Sequence, residues 1–236
     1  MNAIIVSDLH IGSRNFLFHE FKSFIERIPP DYELILNGDI IDDSKNKLTP
    51  LHQRILDIIV RISNRQKVVW VQGNHDNGFI PDEIGKIEFK PIYKINNSLL
   101  IAHGHDFDQI MPMSKVFMKA FTLMHNLRIF LGAPPVHVSD YAKSWKGLYS
   151  VLLKNVMKNA VISAKDNGCT AVACGHTHYP EERFFEGIRY INTGSWTESP
   201  AYCILVDDKD IVLKPVGDCF VAKIDEPVDD KAIQAA

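Results

Sequence analysis

Five short clusters of carboxylate, amide and imidazole side chains lie along the chain, each directly after a run of apolar residues. Oxygen and nitrogen donors without a thiolate suit Mn²⁺, Fe²⁺ or Zn²⁺ in a catalytic centre better than a thiolate-bound structural zinc. Each cluster by itself is also typical of a polar turn, so the prediction of a metal centre rests on all five together. The clusters are Asp8-x-His10, Gly38-Asp39 with Asp42, Gly73-Asn74-His75-Asp76, His103-Gly104 and Gly175-His176-Thr177-His178.

The apolar runs before these clusters predict the elements that position them. Runs at residues 4–6, 34–36, 68–71, 99–102 and 170–173 are typical of strands buried on both faces. Apolar residues at helical spacing cover 16–28 and begin again after Thr49-Pro50, a candidate N-cap and first-turn pair. Turn sequences at 186–187 and 207–210 separate further strands and predict a mixed sheet. Loops at the carboxyl ends of strands in an α/β sheet share one crevice, so we expect the clusters to meet.

Residues 109–166 have a different character from the rest of the chain. Two long helical patterns flank a break at 132–135. Eight lysines and arginines fall between residues 109 and 165 against one acid, Asp140, although the whole chain has a net charge of -3. The sequence therefore predicts a basic helical insert on an acidic body.

Composition limits the classes of protein to which the chain can belong. The four cysteines form no CxxC pair, so we expect reduced thiols rather than the disulfide framework of a small secreted domain. The apolar run at residues 3–6 is too short for a signal peptide. No segment reaches the roughly 18 uncharged apolar residues of a spanning helix. We expect a cytoplasmic protein and leave open a peripheral contact with the inner membrane surface.

In order and content, the five clusters resemble the blocks of the calcineurin-like metallophosphoesterase family, which are D-x-H, G-D-x-x-D, G-N-H-[DE], H-G and G-H-x-H. The resemblance runs from Asp8 to His178 without a missing block. It implies one α/β domain over residues 1–236, a four-layer αββα sandwich of two mixed sheets flanked by helices. The insert 109–166 would then be a lid near the active site.

The resemblance also implies two divalent metal ions, with Mn²⁺ expected and Fe²⁺ or Zn²⁺ as alternatives. A hydroxide bridging the two ions is expected to attack phosphorus in line. His75 would donate a hydrogen bond or proton to the developing charge, and Asp42 would orient His75. The implied ligands are Asp8, His10 and His178 for one ion, Asn74, His103 and His176 for the other, and Asp39 as the bridge between them.

Within that family, the position of the insert and the runs at 175–180 and 192–196 resemble the UDP-2,3-diacylglucosamine pyrophosphohydrolases of lipid A synthesis, which release UMP and lipid X. That branch has arginine where this chain has His75 and an acid where it has His105. Substrate contacts are expected from Arg128, Lys143 and Lys146 of the insert. His105 is an additional candidate, with plain loop polarity as the alternative.

The expected partner is a small-molecule or lipid-linked phosphoester, and no obligate protein partner is expected. A nuclease is an alternative, because the basic insert could follow a nucleic-acid backbone. A general phosphodiesterase or phosphomonoesterase of the same fold is another. A non-catalytic binding scaffold is the remaining alternative, although such a protein would usually have lost metal ligands.

Overall fold

The computed structural model of the chain describes residues 2–45, 47–76, 78–110, 115–134, 141 and 143–220, with the side chains of 115–121 outside the description. Its helices are α1 (Phe18–Ile25), α2 (Pro50–Ser63), α3 (Lys115–Phe130) and α4 (Lys146–Asp166). Its strands are β1 (Asn2–Val6), β2 (Tyr32–Asn37), β3 (Val68–Val71), β4 (Glu88–Lys90), β5 (Tyr93–Ile95), β6 (Leu99–Ile101), β7 (Ala171–Cys174), β8 (Glu181–Phe185), β9 (Ile188–Asn192), β10 (Tyr202–Val206) and β11 (Ile211–Pro215).

The strands form two mixed sheets, as predicted. The six-stranded sheet has the order β11-β10-β1-β2-β3-β4, and its neighbours are parallel from β1 to β4 and antiparallel on the β10 side. The five-stranded sheet has the order β5-β6-β7-β9-β8, with β6, β7 and β9 parallel. The carboxyl ends of the parallel strands are therefore the ends at which the predicted clusters lie.

Alternating side chains of the central strands divide the core into layers. Ile4 of β1 packs into the cluster shared with α1 and α2, whereas Ile5 packs into the cluster shared with the second sheet. On the other side of the second sheet, Val172 of β7 packs against the buried face of α4. The order of layers is thus helix, sheet, sheet, helix, which confirms the predicted two mixed sheets flanked by helices.

The central elements follow the sequence pattern closely. Thr49 is the N-cap of α2, because its side chain accepts a hydrogen bond from the backbone nitrogen of His52, and Pro50 is the first helical residue. The predicted run at 68–71 coincides with β3. Strands β4 and β5 are not predicted from the sequence, since each is three residues long and carries no alternating pattern. Their pairing with longer neighbours defines them.

The insert contains a long helix on each side of the predicted break, and α4 is joined closely to the body. The Tyr149 hydroxyl donates a hydrogen bond to the carbonyl oxygen of Thr177 (2.6 Å), and the Asn159 amide donates one to the carbonyl of Phe107 (2.7 Å). Within the described ranges, every helix is too short or too polar to span a bilayer. The single domain over 1–236 stays a prediction, because residues 221–236 lie outside the described part of the chain.

Candidate metal centre

The loops that follow β1, β2, β6 and β7 are tied to one another by backbone hydrogen bonds. The amide of Asp8 donates to the carbonyl of Gly38 (3.0 Å), and the amide of Gly175 donates to the carbonyl of His103 (2.8 Å). The amide of His176 donates to the Asp8 carboxylate (3.0 Å to Oδ2), which links the two sheets. Four of the predicted clusters therefore meet at one edge of the sandwich.

One group of donor atoms comes from Asp8, His10 and His178, all of them buried. Nε2 of His178 lies 3.2 Å from Oδ1 of Asp8 and 3.1 Å from Nε2 of His10. Two imidazole nitrogens and a carboxylate oxygen thus point at a common centre. This arrangement fits a divalent cation that prefers nitrogen and oxygen ligands.

A second group comes from Asp39, His103 and His176. Nε2 of His103 lies 3.2 Å from Oδ2 of Asp39, while its Nδ1 donates to the carbonyl of Asn37 (2.9 Å). Nε2 of His103 is buried and has no hydrogen bond of suitable geometry. A buried imidazole nitrogen that lies beside a carboxylate and has no hydrogen bond of its own is suited to bind a cation.

A third group, of His10, Asp42 and His75, adjoins the first. The Asp42 carboxylate lies 3.1 Å from Nδ1 of His10, whereas Nδ1 of His75 donates to the backbone carbonyl of Asp42 (2.6 Å). Asp42 thus contacts His75 through its backbone carbonyl, and the expected role of Asp42 in orienting His75 stays a prediction. The short loop 39–42 brings the main chain to His75 and turns the side chain towards His10.

Opposite charges across these groups shift the pKa values of their members. Burial opposes ionisation of Asp39, but the imidazoles of His103, His75 and His10 hold the pKa of Asp39 well below its usual value. Burial would lower the pKa of His103, yet the carboxylates of Asp39 and Asp8 raise it to about 10. The carboxylates are therefore held in the ionised form that binds cations, and a cation in the site would take the place of the proton on the ligating nitrogen of His103.

Several candidate ligands have a backbone conformation that residues other than glycine rarely adopt. Asp8, His10, Asp39, His176 and His178 have φ angles between 50° and 65°. Such left-handed residues cost on the order of 1 kcal/mol each and cluster at functional sites. Aspartate and histidine tolerate this region better than most residue types. The local strain at five predicted ligands indicates that their positions are held for function.

Glycines within the clusters allow the loops to approach so closely. A Cβ atom added to Gly73 would overlap the backbone nitrogen and carboxylate of Asp39, and one added to Gly175 would overlap the carboxylate of Asp8. Both glycines are needed for space around a predicted ligand. They explain why the second and third clusters, and the first and fifth, can share one centre.

Two carboxylates near the site were given no role in the sequence analysis. Asp76 is buried and accepts hydrogen bonds from the backbone nitrogens of Ile40, Ile41 and Gly73 (2.8, 3.0 and 3.0 Å), so it joins two loops of the site. In the sequence, Asp76 could have been identified because it occupies the last position of the G-N-H-[DE] block. Asp108 lies against His176. In the sequence, only its position shortly after the His103-Gly104 cluster indicated that it could belong to the site.

The expected substrate contacts are placed unevenly. The ring of His105 lies 5.5 Å from that of His103 between centroids, so His105 adjoins the second group. Arg128 donates to the carbonyl of Pro134 (3.0 Å) and stacks on Tyr141. Lys143 forms an ion pair with Glu198, and Lys146 is exposed at the start of α4. Asn74 is exposed in the loop before His75. Of these residues, His105 has a ring contact with the second group and Asn74 precedes His75 of the third, and all five roles stay predictions.

Curated proteins similar to this chain include a DNA polymerase II small subunit of Thermoplasma acidophilum, which is 23% identical over 235 residues and aligns with 84% of this chain and 45% of the relative. The chain spans less than half the length of the curated relatives it matches. Similar solved structures include the E. coli phosphoesterase Yfce (14% identity, 92% of this chain and 100% of that chain, TM-score 0.44). The Pseudomonas putida nuclease MPE is similar at 14% identity over 90% of this chain and 87% of that chain (TM-score 0.43).

The family model described as calcineurin-like phosphoesterase matches residues 1–180, about three quarters of the chain. The match contains all five clusters. The chain therefore belongs to the calcineurin-like phosphoesterase family, which confirms the family predicted from the five clusters.

Proposed function

We propose that this protein hydrolyses phosphate ester or anhydride bonds at a pair of divalent cations. The observation that carries the proposal is the meeting of the Asp8, His10 and His178 group with the Asp39, His103 and His176 group, joined through the bond from the His176 amide to Asp8. Members of each group have donor atoms within 4.8 Å of one another. Two adjacent groups could hold two cations. Two cations suit phosphoester hydrolysis, because negative charge develops on several oxygens of the phosphate during cleavage.

Each group supplies the donors for one cation in the proposed site. Asp8, His10 and His178 would hold the first cation. His103 and His176, with the amide of Asn74, would hold the second. Asp39 would contact both. We propose Mn²⁺ as the native ion, with Fe²⁺ and Zn²⁺ as alternatives for this donor set.

Bound cations of this kind lower the pKa of water towards 7 and offset charge on phosphate oxygens. The chain's own contribution is to position them and to manage protons. Nδ1 of His75 carries its proton towards the Asp42 carbonyl, so Nε2 is the nitrogen that faces the site, 4.0 Å from Oδ2 of Asp39. His75 is half exposed and can therefore reach a substrate oxygen, to which it would donate a hydrogen bond or proton from Nε2 when both ring nitrogens are protonated.

For the substrate, we propose a lipid-linked phosphodiester or pyrophosphate, of which UDP-2,3-diacylglucosamine is one example. Two features of the insert support this class. The hydroxyl of Tyr149 in α4 is bonded to the Thr177 carbonyl, between two proposed ligands, so the insert adjoins the site. The same insert exposes several large apolar side chains, among them Leu148 and Val151 of α4. An apolar substrate group close to the site would contact such side chains.

Nucleic-acid hydrolysis is the second candidate, and the sequence comparison favours it. The curated relatives are named as subunits of a DNA polymerase, and one of them aligns with 84% of this chain. The basic composition of the insert is compatible with a phosphate backbone. Both candidates require the same metal centre and differ only in what lies beside the scissile phosphate.

One panel of substrates tests the proposal and separates the candidates. Metal-reconstituted protein is assayed with bis(4-nitrophenyl) phosphate, a diacylated UDP-sugar and single-stranded DNA, each with Mn²⁺ and with EDTA. Metal-dependent turnover of the diacylated UDP-sugar in preference to DNA is expected. Preference for DNA would favour the nuclease. Absence of metal-dependent turnover on all three would contradict the hydrolase.

A further inference from the structure

Helix α3 of the insert exposes a continuous row of large apolar side chains. Leu123, Leu127, Phe130 and Leu131 are 71, 54, 85 and 75% exposed. Their spacing of four, three and one residues places them on one face of the last turns of the helix. We call these four residues the apolar stripe. Monomeric soluble proteins rarely expose such contiguous apolar surface unless it binds a partner or a membrane.

Exposed positive charge lies on the other helix of the same insert. Lys146, Lys154 and Lys158 of α4 are exposed, and among the residues that the structure describes they form no ion pair. Between residues 109 and 165 the sequence contains one acid only. These three exposed lysines and the apolar stripe therefore belong to one segment of the chain.

The combination of these features distinguishes among ligands of different chemistry. Nucleic acid would be held by the charges, but three of the four stripe residues are aliphatic and offer no ring on which a base could stack. A bilayer with anionic headgroups matches both features, since it accepts apolar side chains below the headgroups and attracts lysines above them. No described helix can span the bilayer, so the contact would be peripheral.

We infer that the insert binds the surface of an anionic lipid bilayer, with the apolar stripe of α3 entering the headgroup region. Binding of this kind needs no turnover, so the inference goes beyond the proposed hydrolysis and stands without it. If both hold, the bond between Tyr149 and Thr177 keeps the metal centre close to the membrane-bound insert. Substrates embedded in the bilayer would then be close to the catalytic groups.

Co-sedimentation with vesicles tests the inference. Full-length protein is mixed with vesicles of phosphatidylcholine alone or of phosphatidylcholine with phosphatidylglycerol. Binding is expected only in the second case and is expected to fall with added salt, because screening weakens attraction between exposed charges and the surface. Protein that stays in the supernatant with both vesicles at low salt would overturn the inference.

A pair of variants identifies the surface that binds. The double change Phe130→Ser and Leu131→Ser should reduce the vesicle partition coefficient at least about tenfold, since two apolar side chains no longer enter the bilayer. The control is Phe184→Ser on the edge strand β8, where Phe184 is 74% exposed, and it should bind as the unaltered protein does. Equal binding by the double variant and the control would place the contact elsewhere and overturn the inference.

Weaker vesicle binding could also follow from unfolding of the variant or from loss of a dimer, and two measurements separate these causes. Circular dichroism should show that both variants keep the unaltered melting temperature, because the changed side chains are exposed. Light scattering in the absence of vesicles should report the same mass for all proteins. A dimer that dissociates in the Phe130 and Leu131 variant would show that a second copy covers the stripe, and would overturn the inference.

A charge variant tests the contribution of the lysines separately. Lys146→Glu with Lys154→Glu should weaken binding to the anionic vesicles while leaving the apolar stripe intact, because the reversed charges are repelled by the headgroups. Unchanged binding of this variant to anionic vesicles would contradict the role given to α4.

Discussion

The carboxylate oxygen Oδ2 of Asp108 lies 3.1 Å from Nε2 of His176, and the Asp108 side chain is buried. The other carboxylate oxygen of Asp108 accepts a hydrogen bond from the backbone nitrogen of Ile110 (2.9 Å), which fixes its direction. A carboxylate that accepts a hydrogen bond from one ring nitrogen of a histidine leaves the other ring nitrogen to bind a metal. Asp108 therefore positions His176 with Nδ1 free for the proposed cation.

We expect Asp108→Asn and Asp108→Ala to weaken Mn²⁺ binding by roughly 10- to 100-fold, the usual effect of losing the partner of a ligating histidine. Isothermal titration of the metal-free protein measures the change directly and does not depend on turnover. Asp106→Asn is the control, because the Asp106 side chain is 85% exposed. Equal affinities in the Asp106 and Asp108 variants would show that Asp108 has no such role.

Replacement of Asp39 tests the proposed bridge between the two cations. Because its carboxylate adjoins both His103 and His75, Asp39→Ala should remove most bound metal and nearly all hydrolysis of bis(4-nitrophenyl) phosphate. Metal content is read by elemental analysis of the purified protein. Asp43→Ala, at an exposed position in the same loop region, should keep both properties. Normal metal content in the Asp39 variant would show that the bridge is misassigned.

Gly73 allows the third cluster to lie against the second, and its replacement should disturb both. Gly73→Ala places a methyl group against the backbone nitrogen of Asp39, and overpacking of this kind costs about 1 to 3 kcal/mol. The free energy of unfolding from urea titration should fall by that amount. Gly217→Ala is the matched control, because an added Cβ there meets no atom within 4 Å. A similar loss in both variants would rule out crowding at Asp39 as the cause.

Removal of the metal should destabilise the folded protein. A ligand at about 100 times its dissociation constant adds about 2.7 kcal/mol to the free energy of unfolding when it binds only the folded state. Thermal unfolding in EDTA should therefore occur at a lower temperature than in Mn²⁺. The Asp39→Ala protein should show little of this difference. If Mn²⁺ leaves the melting temperature of the unaltered protein unchanged, the predicted ligands do not hold it.

Much of the architecture could be read from local pattern. The runs that became β1, β2, β3, β6 and β7 are apolar and continuous, because their residues are buried on both faces. The Thr49-Pro50 pair marks the start of α2, since capping depends on neighbouring residues only. The division into two sheets could not be derived this way, because β4 and β5 are short and take their pairing from neighbours.

By itself, the sequence determined which donor types the site contains and the order of the loops that carry them, because these follow from residue identity and from strands that end at one edge. Tertiary structure alone decided which atom of each residue faces which partner. The Asp42 carboxylate lies against His10 while its carbonyl holds His75, and Asp108 lies behind His176 across 68 residues of chain. Such contacts depend on left-handed loop conformations and on packing between distant segments, and neither leaves a periodic signal in the sequence.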